Sequence, residues 1–210
     1  MKLVSRAMQV AMLGVALAGI FTANYTWVPA ALVSLLASEV PSILRRDLKL
    51  VLPVELNFWI VLALFLHVVG GFSGLYDTVP GWDHITHVMS ASLVAALGFV
   101  TIVSVDKYVA SIYLPRQFLA VFIGMVTMAV GVLWELMEFA NDQLTGSHLQ
   151  YSLGDTMLDL FFDGVAGLVV AILGAHYLKH VSPEHFVDKL GLDEARKRIG
   201  EIAGRRERSL

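Results

Sequence analysis

Residues 118–140 read FLAVFIGMVTMAVGVLWELMEFA, a run of 23 in which the only charged side chains are Glu135 and Glu138. A helix rises 1.5 Å per residue, so about 20 apolar residues suffice to cross the hydrocarbon layer of a bilayer. The stretch predicts a membrane-spanning helix that carries two carboxylates near one end. Working outward, the same pattern recurs at Ala7–Ala23, Trp27–Leu44, Leu56–Leu75, Ile85–Val105 and Met157–Leu178, which makes six runs in all. Asn24, Thr26 and Pro29 interrupt the first two runs as the turn of a tight helical hairpin. The first run lacks a small-x-small site followed by a soluble region, so it reads as a span and not as a cleaved signal peptide.

Composition agrees. Hydrophobic side chains make up 57% of the 210 residues and charged ones 16%, where soluble chains average about 45–50% and about 25%. Mean hydropathy is +0.70. The fold class predicted is all-α, a polytopic membrane helix bundle with six transmembrane spans and a short cytoplasmic C-terminal helix. The chain has no cysteine, which excludes a disulfide framework, thiolate metal sites and a cysteine nucleophile. Its basic residues lack aromatic interleaving, so nucleic-acid binding is not indicated.

Those basic residues are strongly segregated. Lys2 and Arg6 precede the first span, Arg45, Arg46 and Lys49 lie between spans 2 and 3, and Lys107 and Arg116 lie between spans 4 and 5. All the others follow span 6, and the alternate loops hold none of the 15. The positive-inside rule then predicts a multi-pass protein of the cell membrane with both termini cytoplasmic. Two parts are expected: a six-span domain over residues 1–178 and a basic cytoplasmic tail over residues 179–210. In the tail, Ser182-Pro183-Glu184 opens a short amphipathic helix, and Arg205, Arg206 and Arg208 form a frayed basic end. The tail reads first as a topology determinant and only second as a patch for anionic headgroups.

Charges inside spans are costly and usually mark function. Here they gather in three motifs: WDHITH at 82–87, WELMEFAND at 134–142 and DTMLDLFFDG at 155–164. With the orientation above, all three occupy extracytoplasmic helix ends. At about 100° per residue, Glu135, Glu138 and Asp142 share an arc of about 60°. Asp155, Asp159 and Asp163 share about 80°, and Asp83 and His87 about 40°. His84, about 100° from Asp83, is the doubtful member. Depth agrees too, since Glu135 and Asp163 would each sit roughly 8–9 Å below the outer interface.

So many carboxylates cannot all stay ionised in a low dielectric without a counter-charge, and no nearby Lys or Arg supplies one. Either several are protonated as a polar plug or a cation is present. Carboxylates with imidazole suit zinc, manganese or iron, and magnesium or calcium if the histidines stay out. The expected metal ligands are Asp83, His87, Glu135, Glu138, Asp155, Asp159 and Asp163. Asp155 is also a candidate helix N-cap, three residues after Ser152.

Other polar residues carry less. His67 sits mid-membrane, where it would reach the cluster or bond a backbone carbonyl. Glu39 is expected to snorkel or to pair with Arg45 or Arg46. His148 is expected in solvent. Gly164, Gly167, Ala171 and Gly174 predict close helix packing. Trp82 reads as an interface anchor and Trp134 as a core residue.

Taken together, the three motifs resemble the YjdF-type inner-membrane protein family over roughly residues 50–178. A fainter similarity is to VanZ-like membrane proteins, which also place Asp-x-x-x-His before an acidic helix end and a later Asp-rich helix. By the resemblance, Asp83, His87, Glu135, Glu138, Asp155 and Asp159 match the pattern, whereas His84 occupies a variable position. The resemblance implies a site and names no substrate.

Two functions of different classes follow. One is an integral membrane metalloenzyme, a hydrolase acting on a lipid or lipid-linked phosphate from the outer face, with Glu135 as general base. Against it stands the lack of any Arg or Lys to clamp phosphate at that face. The other is a cation or proton transporter or channel that uses the same acidic layer. A transporter needs a path onward, and only His67, His176 and Glu39 lie deeper, without broken-helix signals. A metal-bound structural scaffold is a third reading.

Overall fold

The computed structural model describes residues 1–23, 27–108 and 115–207. The expected turn at Asn24 and Thr26 and the terminal Arg208 lie outside them. The element order is α1 (Lys2–Phe21), α2 (Val28–Leu48), α3 (Val54–Phe72), α4 (Leu75–Thr78), α5 (Trp82–Tyr108), α6 (Arg116–Thr145), α7 (Leu153–Tyr177), α8 (Pro183–Lys189) and α9 (Leu192–Glu207). Six of these helices, α1, α2, α3, α5, α6 and α7, are long and apolar enough to cross a membrane. The protein is an all-α, multi-pass membrane bundle. Several helices outrun their apolar cores: α6 continues through Asn141 and Asp142 to Thr145, because polar residues at a span's end still satisfy the helical ladder.

The chain forms two compact units, Met1–Leu75 with Ser182–Leu210, and Tyr76–Val181. The tail that the sequence sets apart at residue 179 thus belongs, from Ser182 onward, to the first unit.

In the first unit, α1 packs on α2 and α3. Met12, Val15, Ala16, Ala31, Val61 and Val68 form its buried core, flanked by Trp27, Leu64 and Phe65. A Cβ on Gly71 would overlap the Trp27 ring, so glycine at 71 is what lets the indole seat against α3. His67 meets that ring edge-on with centroids 5.9 Å apart. Glu39 does not pair with Arg45 or Arg46. It takes Arg6 of α1 at 2.7 Å and accepts from Gln9 at 3.0 Å, because its helix face turns toward α1, while Arg46 pairs with its neighbour Asp47. The tail helices return to the loop after α2. Val51 N–H donates to the Leu190 carbonyl at 2.8 Å, and α9 packs on α2. Gly191 has φ +68°, and a Cβ there would stand 2.6 Å from the Lys49 carbonyl oxygen, so both conformation and space require glycine.

In the second unit α5, α6 and α7 pack pairwise against one another. Small residues set the spacing, as expected for helices that associate by close packing. Gly167 lies under Thr127 and Gly174 under the Phe99 ring, and Ala95, Ala166 and Ala171 are buried between them. Leu133, Leu136, Met137 and Phe139 are exposed on α6, apolar side chains of the kind that suit a lipid-facing helix surface. α7 starts at Ser152, whose hydroxyl accepts from the Asp155 N–H. Ser152, not Asp155, is therefore the N-cap, which leaves the Asp155 carboxylate available for the site.

Candidate functional site

The antiparallel packing of the second unit brings the start of α5, the end of α6 and the start of α7 together. The arrangement centres on His87, buried at 7% exposure. Its Nδ1 faces Asp163 Oδ1 at 3.3 Å. Its Nε2 lies 3.7 Å from Glu135 Oε1 and 3.8 Å from Asp83 Oδ1, too far for a hydrogen bond. Both His87 Nε2 and Glu135 Oε1 are buried, and neither has a hydrogen-bond partner among the described residues. Leaving a buried polar atom unpaired costs about 1–3 kcal/mol. Two ligands held at about 2.1 Å by one ion stand roughly 3.4 Å apart in tetrahedral geometry, close to the separations seen here.

Among the described residues, two triads have donor atoms all within 4.8 Å of one another: Asp83, His87 and Asp159, and His84, Asp155 and Asp159. Asp159 is 2% exposed and belongs to both. His84, the doubtful member by helical angle, sits 2.6 Å from Asp159 through Nδ1 and stacks on Phe162. It turns toward α7 because about 100° of helix separates it from Asp83.

The remaining expected ligands are placed differently. Asp163 lies behind His87, on the nitrogen that faces away from Glu135 and Asp83. Glu138 lies outside both triads and accepts from Trp134 Nε1 at 2.9 Å. Trp134 is not a core residue. It is 36% exposed, its ring lying along the outer side of α6 one turn before Glu138. Asp142 fastens the loop after α6, accepting from Ser147 Oγ, Leu149 N and Gln150 N at 2.7, 2.8 and 2.9 Å. That loop delivers Gln150, whose Nε2 donates to Glu135 Oε2 at 3.3 Å. Neither Gln150 nor Gly131, which makes room for Asp163, stands out in the sequence. His148 is exposed, as expected.

Outside the spans, Tyr76 donates to Thr86 Oγ1 at 3.2 Å, and burial raises its hydroxyl above the ordinary tyrosine range. Burial, then Asp77, pushes Tyr151 up to about 12. No lysine or arginine occurs between Tyr76 and Asp106 or between Gln117 and Leu178. Lys107 is about 30 Å along α5 from His87.

A family model described as a predicted membrane protein family, DUF2238, matches residues 4–180. The chain belongs to this family. YjdF-type proteins are members of it, so the resemblance carried by the three motifs holds, and the match extends over the first hairpin as well. The fainter similarity to VanZ-like proteins gains nothing from this match. No curated protein and no solved structure matches the chain.

Proposed function

We propose that this chain is a membrane metal-dependent hydrolase whose ion is held by Asp83, His87 and Asp159 at the extracytoplasmic side. The observation that carries the reading is the pair of buried, unpartnered atoms, His87 Nε2 and Glu135 Oε1, facing each other beside Asp83. Asp163 fixes the imidazole by taking its Nδ1–H, which aims the Nε2 lone pair at the ion, as outer carboxylates do at metal-bound histidines. Three protein ligands leave a position open for water.

A divalent ion supplies two things there: it lowers the pKa of a bound water and polarises an acyl or phosphoryl oxygen. Glu135 is the general base. Its Oε1 is free to take the proton of that water, while Gln150 holds Oε2 and so fixes the carboxylate plane. A lipid or lipid-linked phosphate is the proposed substrate class, since the ligands sit at the ends of membrane-spanning helices, at the level where headgroups lie.

The alternative, a cation or proton conduit, would need polar groups below the cluster. Thr127 spends its hydroxyl on its own helix, at the Ile123 carbonyl, and Phe99 packs on Gly174 deeper still. A hydroxyl turned back on its own helix and an aromatic ring between helices support one-sided chemistry. The test is a turnover screen of purified, metal-loaded protein on lipid phosphates, beside a flux assay in proteoliposomes. Glu135→Gln should retain the metal and lose turnover. Saturable cation flux that disappears in Glu135→Gln vesicles would overturn the proposal, as would a preparation never exposed to chelator that holds no metal and takes none up.

A further inference from the structure

We infer that the centre takes two divalent cations, bridged by Asp159, and so acts on a phosphoester or phosphoanhydride. This rests on the metal-binding reading above and extends it. The first ion uses Asp83, His87 and Asp159; the second uses His84, Asp155 and Asp159, the other triad whose donor atoms converge within 4.8 Å. Adjacent residues on a helix point about 100° apart, so Asp83 and His84 cannot easily serve one ion, but they can serve two neighbouring ones. A carboxylate has two oxygens with lone pairs on each, which suits the shared, buried Asp159 to a bridge.

Each part of the second set is held in place. Phe162 stacks on the His84 ring with centroids 5.1 Å apart and planes 29° apart. Ser152 caps α7 at the Asp155 N–H, which fixes the first turn without using the Asp155 carboxylate. The orphaned His87 Nε2 and Glu135 Oε1 stand beside Asp83 at the first triad, which shares Asp159 with the second.

Charge points the same way. Asp83, Glu135, Asp155, Asp159 and Asp163 surround two histidines with no lysine or arginine on these helix ends. One dication leaves a large negative excess if these are ionised, and a second cuts it further. An anionic substrate makes the demand stronger. With no basic side chain to hold a phosphoryl group, paired ions about 3.5–4 Å apart would clamp its attacking and leaving oxygens. The nitrogen and oxygen donors suit manganese or zinc.

The experiment uses the full chain in detergent, stripped with chelator and titrated with Mn2+, reading bound metal per chain and the electron paramagnetic resonance spectrum. The expected result is two Mn2+ per chain with an exchange-coupled spectrum. His84→Ala should fall to one, with the six-line spectrum of an isolated ion. Asp155→Asn, which keeps the backbone that Ser152 caps, should do the same and guards against a misfolded His84 variant. One Mn2+ per wild-type chain would overturn the second ion and leave the single-ion reading standing. None would overturn both. Two coupled ions surviving in both His84→Ala and Asp155→Asn would overturn the assignment of the second site.

Discussion

Gly131 on α6 stands so close to the Asp163 carboxylate on α7 that a Cβ added there would overlap Oδ2 and come within 3.2 Å of Cγ. Asp163 in turn faces His87 Nδ1 at 3.3 Å, so an absent side chain on one helix sets the aim of an imidazole on another. Gly131→Ala should push Asp163 off His87 and weaken Mn2+ binding by about 10–100-fold, the range for lost outer-sphere support. Gly124→Ala, on the same helix with no described atom within 4 Å of an added Cβ, should leave binding unchanged. Equal losses in the two variants would show a helix-wide effect and not this contact.

Asp163→Ala leaves both helices intact but removes the acceptor behind His87. Metal affinity should fall about 10–100-fold while stoichiometry at saturation is kept. The thermal midpoint tells the same story by linkage: metal at 100 times its Kd stabilises the native state by about 2.7 kcal/mol. A chelator should therefore lower the wild-type midpoint. In Asp83→Asn, which loses a ligand charge, the chelator-induced shift should shrink or vanish.

The Asp142 carboxylate accepts from Ser147, Leu149 and Gln150. Asp142→Ala should speed limited proteolysis between 146 and 151, because three donors lose their shared acceptor. Metal stoichiometry should stay the same, because Asp142 belongs to neither triad. Metal loss in this variant would place Asp142 among the ligands after all.

Orientation is open to labelling, since the chain has no cysteine of its own. Single cysteines replacing Val79 and His148, both exposed, should react with an impermeant thiol reagent on intact cells. A cysteine replacing the exposed Asp106 should react only after the cells are opened. The reverse pattern would contradict the positive-inside assignment and move the candidate site to the cytoplasmic face.

The spans are legible in the sequence because bilayer thickness fixes a length that hydropathy can report. Their ends are less so: the apolar run stops at Ala140, yet the helix continues to Thr145 and carries Asp142 to its loop. Of the site, the i, i+4 pairs were readable one helix at a time, and these account for Asp83 with His87 and Asp155 with Asp159. His84 was not, because a stripe on one helix cannot tell which neighbour a residue 100° away will meet. Gln150 and Gly131 were invisible for a related reason. One comes from a loop folded by a carboxylate, and the other acts by the volume it lacks.

The tie between Val51 and Leu190 bears on how the protein is made. Val51 leaves the ribosome long before Leu190, with the whole of the second unit translated in between. At about 5–20 residues per second, the first unit waits on the order of ten seconds for its last helices. Through that interval the loop after α2 presents an unanswered backbone donor to the surrounding medium. Nascent-chain folding of the first three helices is thus provisional until the tail helices are made and the Val51–Leu190 bond can form.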